Sequence, residues 1–212
     1  MTPQEQNIVS NLVVQSMTNA TVRNELIANP TQYLEENGVN LGQSPPALAA
    51  VADTETLFNV IAPQIEGARF LDLCAGSGAI GIEALSRGAS DVTFVDRSRK
   101  MCALVEANLD LCRVPENETE VVQAETTDYL ARALKRKASP WNIVFFDPPY
   151  ATDYLRVIGL FGQNTAELLA GDGTLIVEHH HKNSLPEEVG SIIRSRILKQ
   201  GDSALSFFSL KR

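Results

Sequence analysis

The sequence has no apolar run approaching the ~18 residues that cross a bilayer as a helix, so no membrane span is expected. Cysteine is scarce: Cys74, Cys102 and Cys112 show no zinc-ligand spacing. An odd count with no secretory leader pattern indicates reduced thiols and a cytoplasmic protein. Positive charge is also short, with 18 Lys and Arg against 26 Asp and Glu, a formal net charge of −8 and a pI near 4.9. Proteins that grip nucleic acid through its phosphates usually carry a basic face. Here only two runs offer one locally: Arg97, Arg99 and Lys100, and Arg132, Lys135, Arg136 and Lys137. Both read equally well as solvated helix surface. The three histidines form one cluster, His179-His180-His181, at an expected strand end. Neighbouring side chains on a strand alternate faces, so three ligands do not converge there and no metal is expected. Internal repeats and low-complexity stretches are absent.

What is present suits a folded α/β chain. Hydrophobic residues make up 44%, enough for a full core. Residues 1–46 read as a helical extension. Ile8, Leu12, Val13 and Met17 recur at helical spacing, short helices are expected at 20–28 and 31–37, ended by Pro30 and Gly38, and 40–46 is a linker. Residues 47–212 read as a second unit. A helix is expected at 47–62, then strands near 69–74, 91–96, 119–124, 142–147 and 173–179. Helices fall near 78–87, 98–111, 126–137 and 153–169 between them. The tail, Ile192-Ile193, Ile197-Leu198 and 204–210, reads as two closing strands. Such alternation is the pattern of a parallel sheet covered on both faces.

Two motifs carry chemistry. Asp147-Pro148-Pro149-Tyr150 follows the apolar run 143–146. Prolines fix φ and lack an N–H, leaving nearby carbonyls free to accept from an amine. A carboxylate and an aromatic beside them can hold a planar amine with its lone pair aimed at an electrophile. The plainer reading is a rigid turn. Upstream, Asp72-Leu73-Cys74-Ala75-Gly76-Ser77-Gly78 joins a strand to a helix, and its glycines allow a sharp turn and close ligand approach. In a dinucleotide site the pyrophosphate sits at the helix N-terminus. Asp72, four residues before Gly76, opposes a phosphate and suits a cationic amino-acid ligand such as S-adenosylmethionine. Asp72, Ala75, Gly76, Ser77 and Gly78 are therefore candidate cofactor residues. Asp96 ends the next strand about twenty residues on, the place for a carboxylate on ribose hydroxyls. Glu125 is a candidate for the adenine edge, or is a solvated surface residue.

With these motifs on the page, residues from about 53 to 212 resemble the bacterial small-subunit ribosomal RNA guanine-N2 methyltransferases (RsmD-like). The stretches are Leu57-Phe58-Asn59, the run from Asp72 to Ala89, Asp147 to Tyr150, Val177-Glu178-His179 and Gly201 to Ser206. The resemblance implies a Rossmann-like, class I S-adenosylmethionine-dependent methyltransferase with a seven-stranded, mostly parallel sheet and an antiparallel strand near the C-terminus. It implies methyl transfer to an exocyclic amine, guanine N2 in ribosomal RNA, with Asp147, Pro148 and Tyr150 as catalytic residues. The family opens with a basic, arginine-rich β segment. Here residues 1–50 hold Arg23 alone against Glu5, Glu25, Glu35 and Glu36. Stretches 23–30 and 34–39 resemble instead the leader segments of nitrile-hydratase-type peptide precursors, which implies a possible protein or peptide partner. Alternatives are another planar nitrogen (a DNA base, a peptide or protein amide, a small molecule), a non-catalytic cofactor-binding partner, or a nucleotide-dependent oxidoreductase.

Overall fold

The structure is a computed structural model, and it describes Glu36 and residues 46–149 and 153–211. The helices expected before residue 38, apart from Glu36, which is helical, and Tyr150 lie outside the described residues.

Helix α1 (Pro46–Ile65) leads into β1 (Arg69–Leu73), α2 (Ala79–Ser86), β2 (Asp91–Asp96), α3 (Arg99–Cys112) and, after a short 3-10 turn, β3 (Thr119–Gln123). Then come α4 (Thr126–Arg136), β4 (Trp141–Phe146), α5 (Tyr154–Gln163), α6 (Thr165–Leu168), β5 (Leu169–His180), β6 (Glu188–Val189), β7 (Ile192–Gln200) and β8 (Ser203–Leu210). The sheet order is β3-β2-β1-β4-β5-β8-β7-β6. β1 to β5 run parallel, while β8, β7 and β6 are each antiparallel to their neighbours.

Residues on successive strand positions enter two separate cores. Phe70, Phe94, Ile143, Phe145, Ile176 and Phe207 pack under α1, α2 and α3 through Phe58, Ile82 and Val105. Leu71, Val95, Val144, Phe146, Val177 and Phe208 meet α4 and α5 through Leu130, Ile158 and Phe161. Strands buried on both faces read as continuous apolar runs, which is why β1, β2 and β4 were legible. The chain leaves β1 for β2 on one side and later returns to β4 on the other. Such a switch point opens a crevice outside the strands' carboxyl ends.

Three expectations need correction. The described residues form eight strands rather than seven, because the two-residue β6 pairs with β7 through Glu188↔Ile193 and Val189↔Ile192. Two residues are too few to show an alternating pattern. The antiparallel part is three strands where the resemblance implied one, and β7 and β8 are the two closing strands expected in the tail. The helix expected at 153–169 breaks at Asn164, whose φ is −129°. The Asn164 side-chain amide donates to Leu160 O, and Thr165 Oγ1 donates to Phe161 O. Such local bonds compete with helix continuation. β5 accordingly starts at Leu169.

Candidate cofactor and amine site

The glycine turn is built by its own backbone. Cys74, Gly76 and Gly78 have φ of 63°, 55° and 78°. Cys74 N and Ala75 N donate to Val95 O at 2.8 and 3.1 Å, tying the turn to β2. Asn108 of α3 donates its side-chain N–H to Ser77 O at 2.8 Å. A Cβ at Gly78 would lie 3.1 Å from Val105 and 3.3 Å from Phe94, so the turn packs against both α3 and β2.

Five carboxylates reach this edge. Asp96 Oδ2 accepts from Gly76 N at 3.0 Å and Oδ1 from Ser98 N at 2.7 Å. A carboxylate has roughly four acceptor sites, so these two bonds orient Asp96 and leave room for hydroxyl donors. Asp72 is 2% exposed and accepts from Gly81 N at 3.1 Å, under the first turn of α2. Burial, reinforced by Asp96, pushes it up to about 7 against the Gly81 bond. Asp147 follows β4, and its N donates to Leu73 O at 3.3 Å. Its carboxyl is raised by the surrounding protein, then by Glu178 and Asp72. Asp147 still meets solvent. Glu125 lies at the N-cap position of α4, 3.7 Å from exposed Arg97. Glu178, on β5, accepts from Ser203 Oγ at 2.9 Å.

A cavity of about 390 Å³ joins four of them, all but Asp72; its walls include Asp96, Glu125, Thr126, Asp147, Pro148 and Glu178. Cys74 also faces it, and burial pushes that thiol up to about 11. It is a neutral wall rather than a nucleophile. Ala75, Gly76, Ser77 and Gly78 shape the turn and Asp72 supports it from beneath. None of these five is on the cavity wall. Sequence reasoning missed Glu178, Thr126, Cys74 and Arg97 as wall residues. Phe146 pairs with Val177, so Asp147 and Glu178 each follow one of a pair of adjacent strand residues, a proximity that only the strand order reveals.

The donor set fits S-adenosylmethionine. At the N-terminus of α2, where a pyrophosphate would bind, Gly81 N is already taken by the buried carboxylate of Asp72. That arrangement repels phosphate and favours an ammonium. Asp96 and Glu125 supply acceptors for hydroxyl and amine groups along the same cavity.

The histidine cluster behaves differently from expectation. His179 faces the core, 3% exposed, with Nε2 2.8 Å from Ser206 Oγ, and burial lowers its pKa. β5 ends at His180 and the turn folds His181 back, stacking the two rings at 4.7 Å. Ligand atoms of His180, His181 and Asp202 lie within 4.8 Å of one another, so the alternation argument against convergence fails for this pair. Lys182 N donates to His180 Nδ1 at 3.1 Å, which in the neutral ring places the proton on Nε2 and removes that lone pair.

The basic runs also separate. Lys135 and Arg136 occupy the last turn of α4, at the end opposite the cavity, where they complement the helix dipole. Arg97 lies on the cavity wall, and Arg99 and Lys100 begin α3 beside it.

The family profile described as conserved hypothetical protein 95 matches residues 46–209. The chain belongs to this family. Ribosomal RNA small subunit methyltransferase D of Escherichia coli is 38% identical over 144 residues, covering 66% of this chain and 69% of the relative. A Bacillus subtilis protein named provisionally as the rRNA methyltransferase YlbH is 37% identical over 142 residues, 67% of this chain and 76% of the relative. A solved Escherichia coli structure, named provisionally as methyltransferase yhhF, is 34% identical with a TM-score of 0.64, covering 74% of this chain and 83% of that one. The RsmD-like resemblance and the Rossmann-like methyltransferase fold therefore stand, and the chain is an S-adenosylmethionine-dependent methyltransferase.

Proposed function

We propose that this RsmD-like chain methylates an exocyclic amine of ribosomal RNA, guanine N2 in the small subunit. The observation that carries the reading is the placement of Asp147 and Pro148 on the wall of the cavity that also holds Asp96. The amine acceptor and the cofactor carboxylate thus share one cavity. The bound cofactor supplies an electrophilic methyl group. Asp147 accepts one amine hydrogen and the Pro148 carbonyl the other, which fixes the nitrogen and aims its lone pair. Pro149, like Pro148, offers no competing N–H. Tyr150, next in sequence, is the proposed stacking face for the ring. Alignment and fixed dipoles in place of water supply the rate. A strong base is not needed, since the nitrogen becomes acidic as it is methylated. A base inside a helix would have to unstack to reach the cavity. Arg97, Arg99 and Lys100 are the proposed phosphate contacts beside it.

The E. coli and B. subtilis relatives, both named as rRNA methyltransferases, support the RNA class. A second reading, a planar nitrogen outside RNA, is favoured by one observation: Arg23 against four glutamates in residues 1–50. Incubation with a labelled methyl donor and fractionated cell contents tests the choice. Label in RNA is expected; label confined to protein or small molecules would overturn the RNA reading.

A further inference from the structure

A second cavity, of about 490 Å³, opens at the same edge of the sheet, between the first turn of α5 and the loop that follows β5. Asp153, Tyr154 and Leu155 form one side, and the loop from Asn183 to Pro186 forms the other. Both sides are held in place. Asp153 Oδ1 accepts from Leu155 N at 3.1 Å, Arg194 donates to Leu185 O at 2.5 Å, and Asn183 N donates to His180 O at 2.8 Å. Tyr154 is buried, and its ring meets those of Phe146 and His179 edge-on at 6.4 and 6.3 Å. Phe146 precedes Asp147 and His179 follows Glu178, two walls of the first cavity. Pro149 on the first wall and Asp153 on the second are four residues apart, so their Cα atoms lie within ~14 Å of each other.

The walls suit a flat, neutral ring. Leu155 is 55% exposed, and Leu185 and Pro186 add apolar surface opposite it. Asn183 and Ser184 stand exposed on the same wall with an amide and a hydroxyl, groups that both donate and accept. The one charged side chain among the described wall residues is the carboxylate of Asp153, which opposes a phosphate. RNA recognised as a single strand offers unstacked bases, whose faces pack on side chains and whose edges take hydrogen bonds. A guanine drawn into the first cavity has left its stack, and its neighbour loses a stacking partner with it.

We propose that this second cavity binds the base next to the methylated guanine, with Leu155, Leu185 and Pro186 against its face and Asn183 and Ser184 bonded to its edge. The inference rests on the RNA reading above and extends it from the reacting base to its neighbour. The two bases then lie on either side of the β4–α5 connection.

The test uses the full chain and small ribosomal subunits reconstituted with RNA that carries the target guanine and either a normal or an abasic nucleotide directly beside it. Removing the neighbouring base on one side should lower wild-type kcat/KM roughly tenfold, the scale of one lost base contact. Ser184→Trp, which fills the cavity from an exposed position, should lower it by a similar factor on intact RNA and add no further loss on the abasic RNA. Leu155→Ala, at a half-exposed position that the fold does not depend on, should repeat this pattern more weakly. Binding of S-adenosylhomocysteine, followed by calorimetry, should stay near wild type and report that each variant is folded; if Ser184→Trp fails that check, Leu155→Ala decides. Wild-type rates indifferent to an abasic nucleotide on either side would overturn the assignment without any variant. So would folded variants that methylate intact RNA at the wild-type rate, or that slow intact and abasic RNA by the same factor. A wild type inactive on intact RNA would instead overturn the RNA reading, and this inference with it.

Discussion

Asp72 lies inside β1, Asp96 ends β2 and Asp147 follows β4, and the structure gives them three different positions. Asp96 is oriented by two backbone N–H groups and faces the cavity. Asp96→Ala should weaken S-adenosylmethionine binding by about 1.5–3 kcal/mol per lost charge-assisted bond, measured by calorimetry. Asp147→Ala should keep the fold and most cofactor affinity while turnover falls at least a hundredfold, on the order expected when alignment is lost. Near wild-type turnover would reduce the Asp-Pro-Pro-Tyr motif to a turn. Asp72 carries a cost. Its folded pKa of about 7 lies above the ordinary 3.8, so its penalty is absent below pH 3.8 and grows as pH rises toward 7. Asp72→Asn should therefore stabilise the cofactor-free protein by roughly 1–3 kcal/mol at pH 8 and leave it unchanged near pH 3.5. Thermal melts at the two pH values check this. Equal stability at pH 8 would show that the carboxylate is not held against its burial. Asp96 and Asp147 were legible because a carboxylate at the end of an apolar run has few structural uses. The burial of Asp72 and the meeting of Glu178 with Asp147 were not, because both depend on which strands become neighbours.

At the scale of elements, α2 is held by small size and by charge. Gly81 lies against β2, and a Cβ there would stand 2.2 Å from the Phe94 ring. Gly81→Ala should cost about 1–3 kcal/mol through overpacking, read from denaturant midpoints. Arg87 joins α2 to α1, pairing with buried Glu83 and with Glu55 at 2.8 Å, and its guanidinium lies 4.8 Å from the Phe58 ring centre. Arg87→Ala would leave Glu83 buried with its cation removed and should cost about 3 kcal/mol. A loss under 1 kcal/mol would mean water replaces the guanidinium. β1, β2 and β4 could be read from their apolar runs, and α3 from its period. β6 was hidden by its two-residue length, and the break at Asn164 by side-chain bonds that only the folded turn makes.

At the scale of the whole molecule, family membership was legible because one long run, Asp72 to Ala89, and several short ones fall in the right order. Charge pulled the other way. The protein is acidic overall, and α4 carries one basic run away from the cavity. RNA binding through Arg97, Arg99 and Lys100 alone should show a shallow salt dependence, a slope near 3 or less in a log–log plot. The matched region starts at residue 46, with α1. Removing residues 1–45 should leave a folded chain that still binds S-adenosylhomocysteine, and an unfolded product would place that segment in the core. The most direct test of the central claim is methylation of small ribosomal subunits that lack the modification, followed by digestion to nucleosides. The account predicts label in N2-methylguanosine, abolished by Asp147→Ala; label in another nucleoside, or none in RNA with transfer to protein or a small molecule, would contradict it.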